Sequence, residues 1–351
     1  MARRQEKPSG LYHTAPRSRN FPQVTHFKQF SVADCLTLFE AGTYTDSMST
    51  RRIRVAVFLL LALTVARPGR LVAQAIQRAM YVTVVNEAGA HVPDLGPTDF
   101  IVREDNVARE VLRVGPADEP MQIALLIDNS SAAHDNISHY RSALPPFVTA
   151  LTNPNASGAK NQVAIVATGE RPTILTDYTS NLADLEKGIN RLWSLRDTGA
   201  YLLDGVEEVV QGFKKREARR PVIIAITQEG TEFSSRQYDQ VLPVLRDSGA
   251  AFHAVVIGQP SGNLSDEARS RHIVLDEGPR ATGGARVQLL TPMSLGVTLK
   301  QLADQLTHQY LVTYAHPDSL IPPERVTVSA RKPGMTARGT LVRDKNRQER
   351  P

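Results

Sequence analysis

The chain holds a single cysteine, Cys35, among 351 residues, and a single tryptophan, Trp193. A lone thiol excludes an internal disulfide framework and any zinc centre built on paired cysteines. The nine histidines are scattered, with no His-Glu-x-x-His or comparable pair to hold zinc on a helix. No Gly-x-x-x-x-Gly-Lys loop accompanies Thr282-Gly283-Gly284, so that stretch reads as a tight turn and not a phosphate cradle. No Gly-x-Ser-x-Gly elbow surrounds Ser130. The apolar block at residues 55–66 falls short of the roughly 18 residues expected of a membrane-spanning helix.

Positive charge is unevenly spread. Residues 1–75 carry 11 Lys/Arg against 4 Asp/Glu, and the remaining residues carry 30 against 32. The net +5 therefore belongs to the leader, and a body of that balance offers no clustered cations for nucleic acid. From Met48 the leader runs through Arg51, Arg52 and Arg54 into the apolar block and ends at Ala73-Gln74-Ala75. A basic start, an apolar stretch and an Ala-x-Ala end describe a secretory signal peptide over residues 48–75, cleaved after Ala75. Export to a periplasmic or extracellular location is the expectation, with membrane contact only if the leader stays uncleaved. Residues 1–47, polar and patternless, read as a spurious or disordered extension with translation starting at Met48. Cys35 lies there, so the mature chain is expected to have no thiol.

Residues 123–127 form a short continuous apolar run, the pattern of a strand buried on both faces, and it stops abruptly at Asp128-Asn129-Ser130-Ser131. Polar residues at the carboxyl end of a core strand are where open α/β sheets bind ligands. Asp and Ser at such a boundary serve equally well as local caps.

Before this strand, residues 80–85 have strand character, and residues 100–102 and 111–114 bracket a polar hairpin tip at 103–106. After it, strands and helices alternate. Strands are expected at 163–167, 173–175, 222–227, 252–257 and 287–290. Helical stripes run over 137–151, 182–192, 202–213, 238–246 and 295–306, with Pro145 and Pro146 near a start or a break of the first. The basic run 214–220 reads as a solvated helix end. Trp193 reads as core, with the crevice rim as the alternative, and His253 as a satisfied core or edge histidine and not a ligand. Strand character returns at 310–314, 325–329 and 340–342. The expected architecture is a doubly wound, mostly parallel α/β sheet at 119–307, inserted in a small antiparallel β domain whose halves, 76–118 and 308–347, pair.

The Ile127-Asp128-x-Ser130-x-Ala132 junction, the alternation after it, Tyr201-Leu202-Leu203-Asp204-Gly205 and Ala281-Thr282-Gly283-Gly284 together resemble a von Willebrand factor type A domain. With Asp99-Phe100 and Gln309-Tyr310 included, the arrangement is similar to acidobacterial-type relatives in which such a domain sits between β segments. The resemblance implies a metal-ion-dependent adhesion site, in which Asp-x-Ser-x-Ser, a loop Thr and a later Asp hold a divalent cation. Asp128 and Ser130 match that pattern. Ala132 and Ala200 stand where hydroxyls are expected, and Gln228 stands in place of the second Asp. Hard cations such as Mg²⁺ need several oxygen ligands, so the expectation is a degenerate site without a cofactor. Ser131, Thr198, Thr227 and Glu229 are the residues that could restore Mg²⁺ or Mn²⁺ binding.

The resulting expectation is an exported, non-catalytic module that binds a protein partner. Its surface would be formed by Asp128, Asn129, Ser130, Ser131, Thr198, Ala200, Tyr201, Gln228 and Glu229. One alternative is a cation-dependent adhesion module with Mg or Mn on Asp128 and Ser130. A second is a hydrolase using Ser130, for which His134 or His272 would have to supply a base.

Overall fold

Strand β5 (Gln122–Ile127) lies at the middle of the central sheet, and its residues alternate between two apolar cores. Ile123, Leu125 and Ile127 enter one, while Ala124 and Leu126 enter the other. A strand coated on both faces has no polar side to spare, which is why this stretch is uninterrupted in sequence. The structure is a computed structural model describing residues 76–343, apart from 156, 261, 263, 264, 319 and 320. The expected signal peptide and the extension before it lie outside the described residues.

The remaining elements, in chain order, begin with β1 (Ile76–Asn86), β2 (Phe100–Glu104), β3 (Val107–Arg109) and β4 (Val111–Pro116). After β5 come α1 (Ile137–Thr152), β6 (Gln162–Ala167), β7 (Thr173–Thr179), α2 (Leu182–Asn190) and α3 (Leu202–Lys215). Next are β8 (Pro221–Gln228), α4 (Tyr238–Asp247), β9 (Ala251–Ile257), α5 (Asp266–Thr282), β10 (Arg286–Leu289) and α6 (Leu295–Thr307). The last three are β11 (Tyr310–His316), β12 (Val326–Ala330) and β13 (Met335–Leu341).

The six-stranded sheet has the order β10-β9-β8-β5-β6-β7, parallel except for β7, which pairs antiparallel with β6. Helices α1, α2 and α6 cover the face of Ile123 and Leu125, and α3, α4 and α5 cover the other. This is the mostly parallel, doubly wound α/β class expected from the alternation. The chain leaves β5 toward β6 and later returns to β5's other side as β8. The carboxyl ends of β5 and β8 therefore flank the point where the winding reverses.

Two antiparallel sheets, β13-β1-β11-β4 and β12-β2-β3, share a third core around Met80, Val82, Phe100, Val102, Val312 and Tyr314. β1 is held between β11 and β13, so strands from before and after the α/β region pair directly. All described residues fall in one compact unit. Arg220 is the main polar tie between the sheets and the α/β layers. Its guanidinium donates to the carbonyls of Ala117 (2.8 Å) and Glu119 (2.7 Å), to that of Leu306 (3.3 Å) and to Gln309 Oε1 (2.6 Å). It also lies over the Tyr81 ring, 4.6 Å from the centroid. Gly283 supplies a second contact. Its φ of +80° closes α5, and a Cβ there would come within 2.2 Å of the Gly339 carbonyl oxygen.

Several sequence expectations need correction. Arg220 is buried and not part of a solvated helix end, because it is called on by four acceptors where the two β segments meet the α/β layers. Pro145 and Pro146 sit inside α1 without ending it. The N–H groups they lack would have served the carbonyls of Arg141 and Ser142, both exposed residues that water can reach. The hairpin tip is only Asp105-Asn106, with φ of +47° and +67°, and β2 turns back into β3, while β4 leaves for the other sheet beside β11. Trp193 is 59% exposed and lies outside the core. His253 is a core histidine with a single partner. Its Nδ1 accepts from the Ala285 N–H at 3.2 Å and its Nε2 has none.

Candidate functional site

Asp128 follows β5 directly and is 2% exposed. Its Oδ1 accepts from the Ser130 N–H at 2.9 Å. Its Oδ2 accepts from the Gln228 N–H and from the Thr227 hydroxyl, both at 3.0 Å. Three donors thus converge on one carboxylate from the ends of two adjacent parallel strands. Such an arrangement is strong for an anion because each bond is charge-assisted.

Behind it stands a buried cation. Arg271, on α5, donates to the Thr227 hydroxyl at 2.8 Å, to the Gly230 carbonyl at 3.1 Å and to the Gln228 carbonyl. Its Nε is 3.6 Å from Glu232 Oε2, an ion-pair distance without a hydrogen bond. Glu232 in turn accepts from the Leu202 N–H at 2.9 Å and from the Ser234 hydroxyl, so it caps the first turn of α3. Burial pushes its carboxyl up to about 7 despite the lowering effect of Arg271, Ser234 and the Leu203 N–H. Neither Arg271 nor Glu232 was singled out from the sequence: the helix that carries Arg271, Asp266–Thr282, was not among the expected helices, and Glu232 lies in a loop, so both gain their role only by burial near Asp128.

The other sequence-selected residues gather around this centre. Asn129 accepts from the Gly169 N–H at 2.8 Å and donates to the Trp193 carbonyl at 3.0 Å, which fixes the loops at the rim. The Ser130 hydroxyl makes no hydrogen bond among the described residues. Ser131 donates its hydroxyl to the Thr198 carbonyl at 2.6 Å, and the Thr198 hydroxyl faces the Leu195 carbonyl at 3.4 Å. Ala200 is buried in a bridge with Glu232, where its N–H meets the Thr231 carbonyl at 2.8 Å. The Tyr201 N–H donates to the Thr168 carbonyl at 2.6 Å, and its ring meets Phe233 edge-on at 6.2 Å.

Two members turn elsewhere. The Gln228 side chain accepts from Asn136 at 2.7 Å and donates to the Tyr140 hydroxyl, so its amide is engaged with α1 and the turn before it. The Glu229 carboxylate is buried with neither oxygen hydrogen-bonded, and the His272 imidazole stands 3.9 Å from it. Ala132 has no side-chain oxygen, and its methyl packs against the backbone of Gly230, where a Cβ would come within 2.7 Å of it. The floor of the crevice is therefore polar, bonded around Asp128 and Gln228 and unbonded at Glu229. Its rim carries two exposed aromatics, Trp193 and Phe233, the latter 49% exposed.

Residues 123–230 match the model of the von Willebrand factor type A domain. No curated protein matches the chain by sequence. Among solved structures, a von Willebrand factor type A protein from Catenulispora acidiphila is 13% identical, with 75% of this chain and 72% of that one covered and a TM-score of 0.44. Proximal thread matrix protein 1 from the mussel byssus is 18% identical over 58% of this chain and 50% of its own, with a TM-score of 0.45. The vWF domain of the type V pili tip protein Mfa5 from Porphyromonas gingivalis is 10% identical over 54% of this chain and 96% of its own, at 0.42. Similarities at that level say nothing of what the chain binds.

Proposed function

We propose, for a chain whose residues 123–230 match the von Willebrand factor type A domain, a non-catalytic role in which the Asp128 crevice docks a protein partner without a metal ion. The observation that carries this reading is the Asp128 carboxylate, already engaged by three donors, the Ser130 N–H, the Gln228 N–H and the Thr227 hydroxyl. Mg²⁺ sheds its water reluctantly and wants near-octahedral oxygen ligands. Here the remaining oxygens of the family pattern are missing at Ala132 and Ala200, and the Gln228 amide is engaged with Asn136 and Tyr140. The residues present do not fit a hard cation, and the Arg271 guanidinium supplies positive charge behind Asp128 instead.

The rim supports docking. Trp193 and Phe233 expose aromatic surface beside a polar floor, and aromatics of this kind anchor protein interfaces. The Ser130 hydroxyl is hydrogen-bonded to neither His134 nor His272, the two bases that the hydrolase alternative would call on, which favours the docking reading. Export rests on residues 48–75 alone, and N-terminal sequencing of the product tests it. Among the described residues no helix is long and apolar enough to cross a membrane.

The test is capture of the partner from the exported fraction with and without a chelator, alongside thermal melting in Mg²⁺. Equal capture in both conditions, an unmoved melting midpoint, and loss of capture in the W193A/F233A double variant are the expected results. A midpoint raised by Mg²⁺, together with chelator-sensitive capture, would establish the cation-dependent alternative.

A further inference from the structure

His91, Asp304 and His308 come together far from the Asp128 crevice, although His91 stands 213 residues before Asp304. Asp304 lies in the last turn of α6 and His308, four residues on, is the residue that caps it, so the end of the helix presents a carboxylate and an imidazole together. α6 begins just after the carboxyl end of β10 and runs back for about 20 Å, which places its last turn at the opposite end from Asp128. His91 follows the turn after β1 and is bridged to Val85. The turn itself is pinned to α6 because Gln305 donates to the Gly89 carbonyl at 2.8 Å.

We propose that His91, Asp304 and His308 form a binding site for a first-row transition ion of the Zn²⁺ type. His91 Nδ1 lies 2.8 Å from one oxygen of Asp304, and His308 Nδ1 lies 3.2 Å from the other. The three ligand atoms all fall within 4.8 Å of one another. Ligands around tetrahedral zinc, each at about 2.0–2.1 Å, stand about 3.3 Å apart, so modest side-chain rotation brings the set to bonding distance. The two imidazoles are stacked with centroids 4.1 Å apart and planes 5° from parallel, and both direct Nδ1 to the same carboxylate. His308 Nδ1 also lies 2.8 Å from the Asp304 carbonyl, and binding exchanges that contact for the ion.

Two imidazole nitrogens and one carboxylate oxygen suit zinc and its neighbours and disfavour Mg²⁺, which takes oxygen and keeps its water. The negative end of the α6 dipole adds to the attraction for a cation. His91 and His308 both line a cavity of about 740 Å³, which provides a route for the ion and space for a water as fourth ligand. A bound ion would clip the loop after β1 to the end of α6, and because the three ligands come together only in the folded chain, binding stabilises the fold.

The test is titration of the full chain with Zn²⁺, followed by calorimetry and thermal melting, with Co²⁺ as a spectroscopic stand-in. The expected result is one ion per chain, a raised melting midpoint and visible Co²⁺ bands of the tetrahedral type. The H91A and H308A variants, altered at partly or fully exposed side chains, should melt like the wild type without metal and bind Zn²⁺ at least about tenfold more weakly. S130A should bind Zn²⁺ as the wild type does, and Mg²⁺ should not compete. The proposal is overturned if Zn²⁺ does not bind, or if it binds both histidine variants undiminished. Neither outcome bears on the docking role of the Asp128 crevice.

Discussion

The Thr227 hydroxyl donates to Asp128 at 3.0 Å while it accepts from Arg271 at 2.8 Å. A single hydroxyl thereby relays a buried guanidinium to the carboxylate at the end of β5. The pairing has a direct consequence for stability. Replacing Arg271 by Met leaves Glu232 and Asp128 buried without their cation, at a cost of about 3 kcal/mol. Urea unfolding should show the loss, larger at pH 8 than at pH 6, because Glu232 can take up a proton at the lower pH. Asp128→Asn should cost about 2 kcal/mol, since its amide turns one N–H toward a backbone donor. An R271M protein as stable as the wild type would show that the guanidinium is a bystander.

Glu232 makes stability fall as pH rises. Its carboxyl titrates near 7 in the folded chain, against an ordinary value of 4.5. Between those values the folded state holds a proton that the unfolded state has released, and the stability so gained is lost as pH climbs through 7. The difference amounts to about 3 kcal/mol. Glu232→Gln keeps an acceptor for the Leu202 N–H and removes the titration. The stability of the wild type relative to this variant should drop between pH 5 and pH 8.

His253 acts in the opposite sense. Burial, reinforced by Arg338, presses its imidazole down to about 3. As pH falls below the ordinary 6.5 the unfolded chain gains a proton that the folded chain refuses, so stability present above 6.5 is lost toward pH 3. The loss should reach roughly 3 kcal/mol by pH 4.5. His253→Gln, which can still accept from the Ala285 N–H, should flatten the acid limb of the unfolding curve. An unchanged acid limb would mean that His253 is protonated in place.

Arg220 should be the residue whose loss most weakens the attachment of the antiparallel sheets. Arg220→Ala leaves the Ala117, Glu119 and Leu306 carbonyls without their donor and removes the cation from Tyr81, at about 3 kcal/mol or more. Arg220→Lys retains the charge without the planar fork, so it should recover only part of that. Equilibrium denaturation of the two variants, compared at the same pH, tests the order.

Much of the α/β layer was legible because its physics is local. The run at residues 123–127 has apolar side chains at every position since both faces of β5 are covered. Three- and four-residue spacing marked α2 through Leu182, Leu185, Ile189 and Leu192, of which Leu185, Ile189 and Leu192 are buried. Asp128 and Ser130 were recognisable by their place at a strand end. Trp193 was misplaced because hydrophobicity alone does not tell a core position from a rim, and here its carbonyl is tied to Asn129 while its ring stays outside. The end of β2 was misplaced because a two-residue turn with positive φ was hidden inside a longer polar stretch.

The order of residues by itself determined most strands and helices, though not α5, together with the apolar faces and the position of a carboxylate at the reversal point of the sheet, since each depends on neighbours a few places away. Tertiary structure alone decided what surrounds that carboxylate. Arg271 and Glu232 reach Asp128 from a later helix and loop, Arg220 leaves a basic run to join four distant acceptors, and His91 meets His308 across more than two hundred residues. Charge and hydrogen bonding act through space at a few ångströms, and only folding sets those distances.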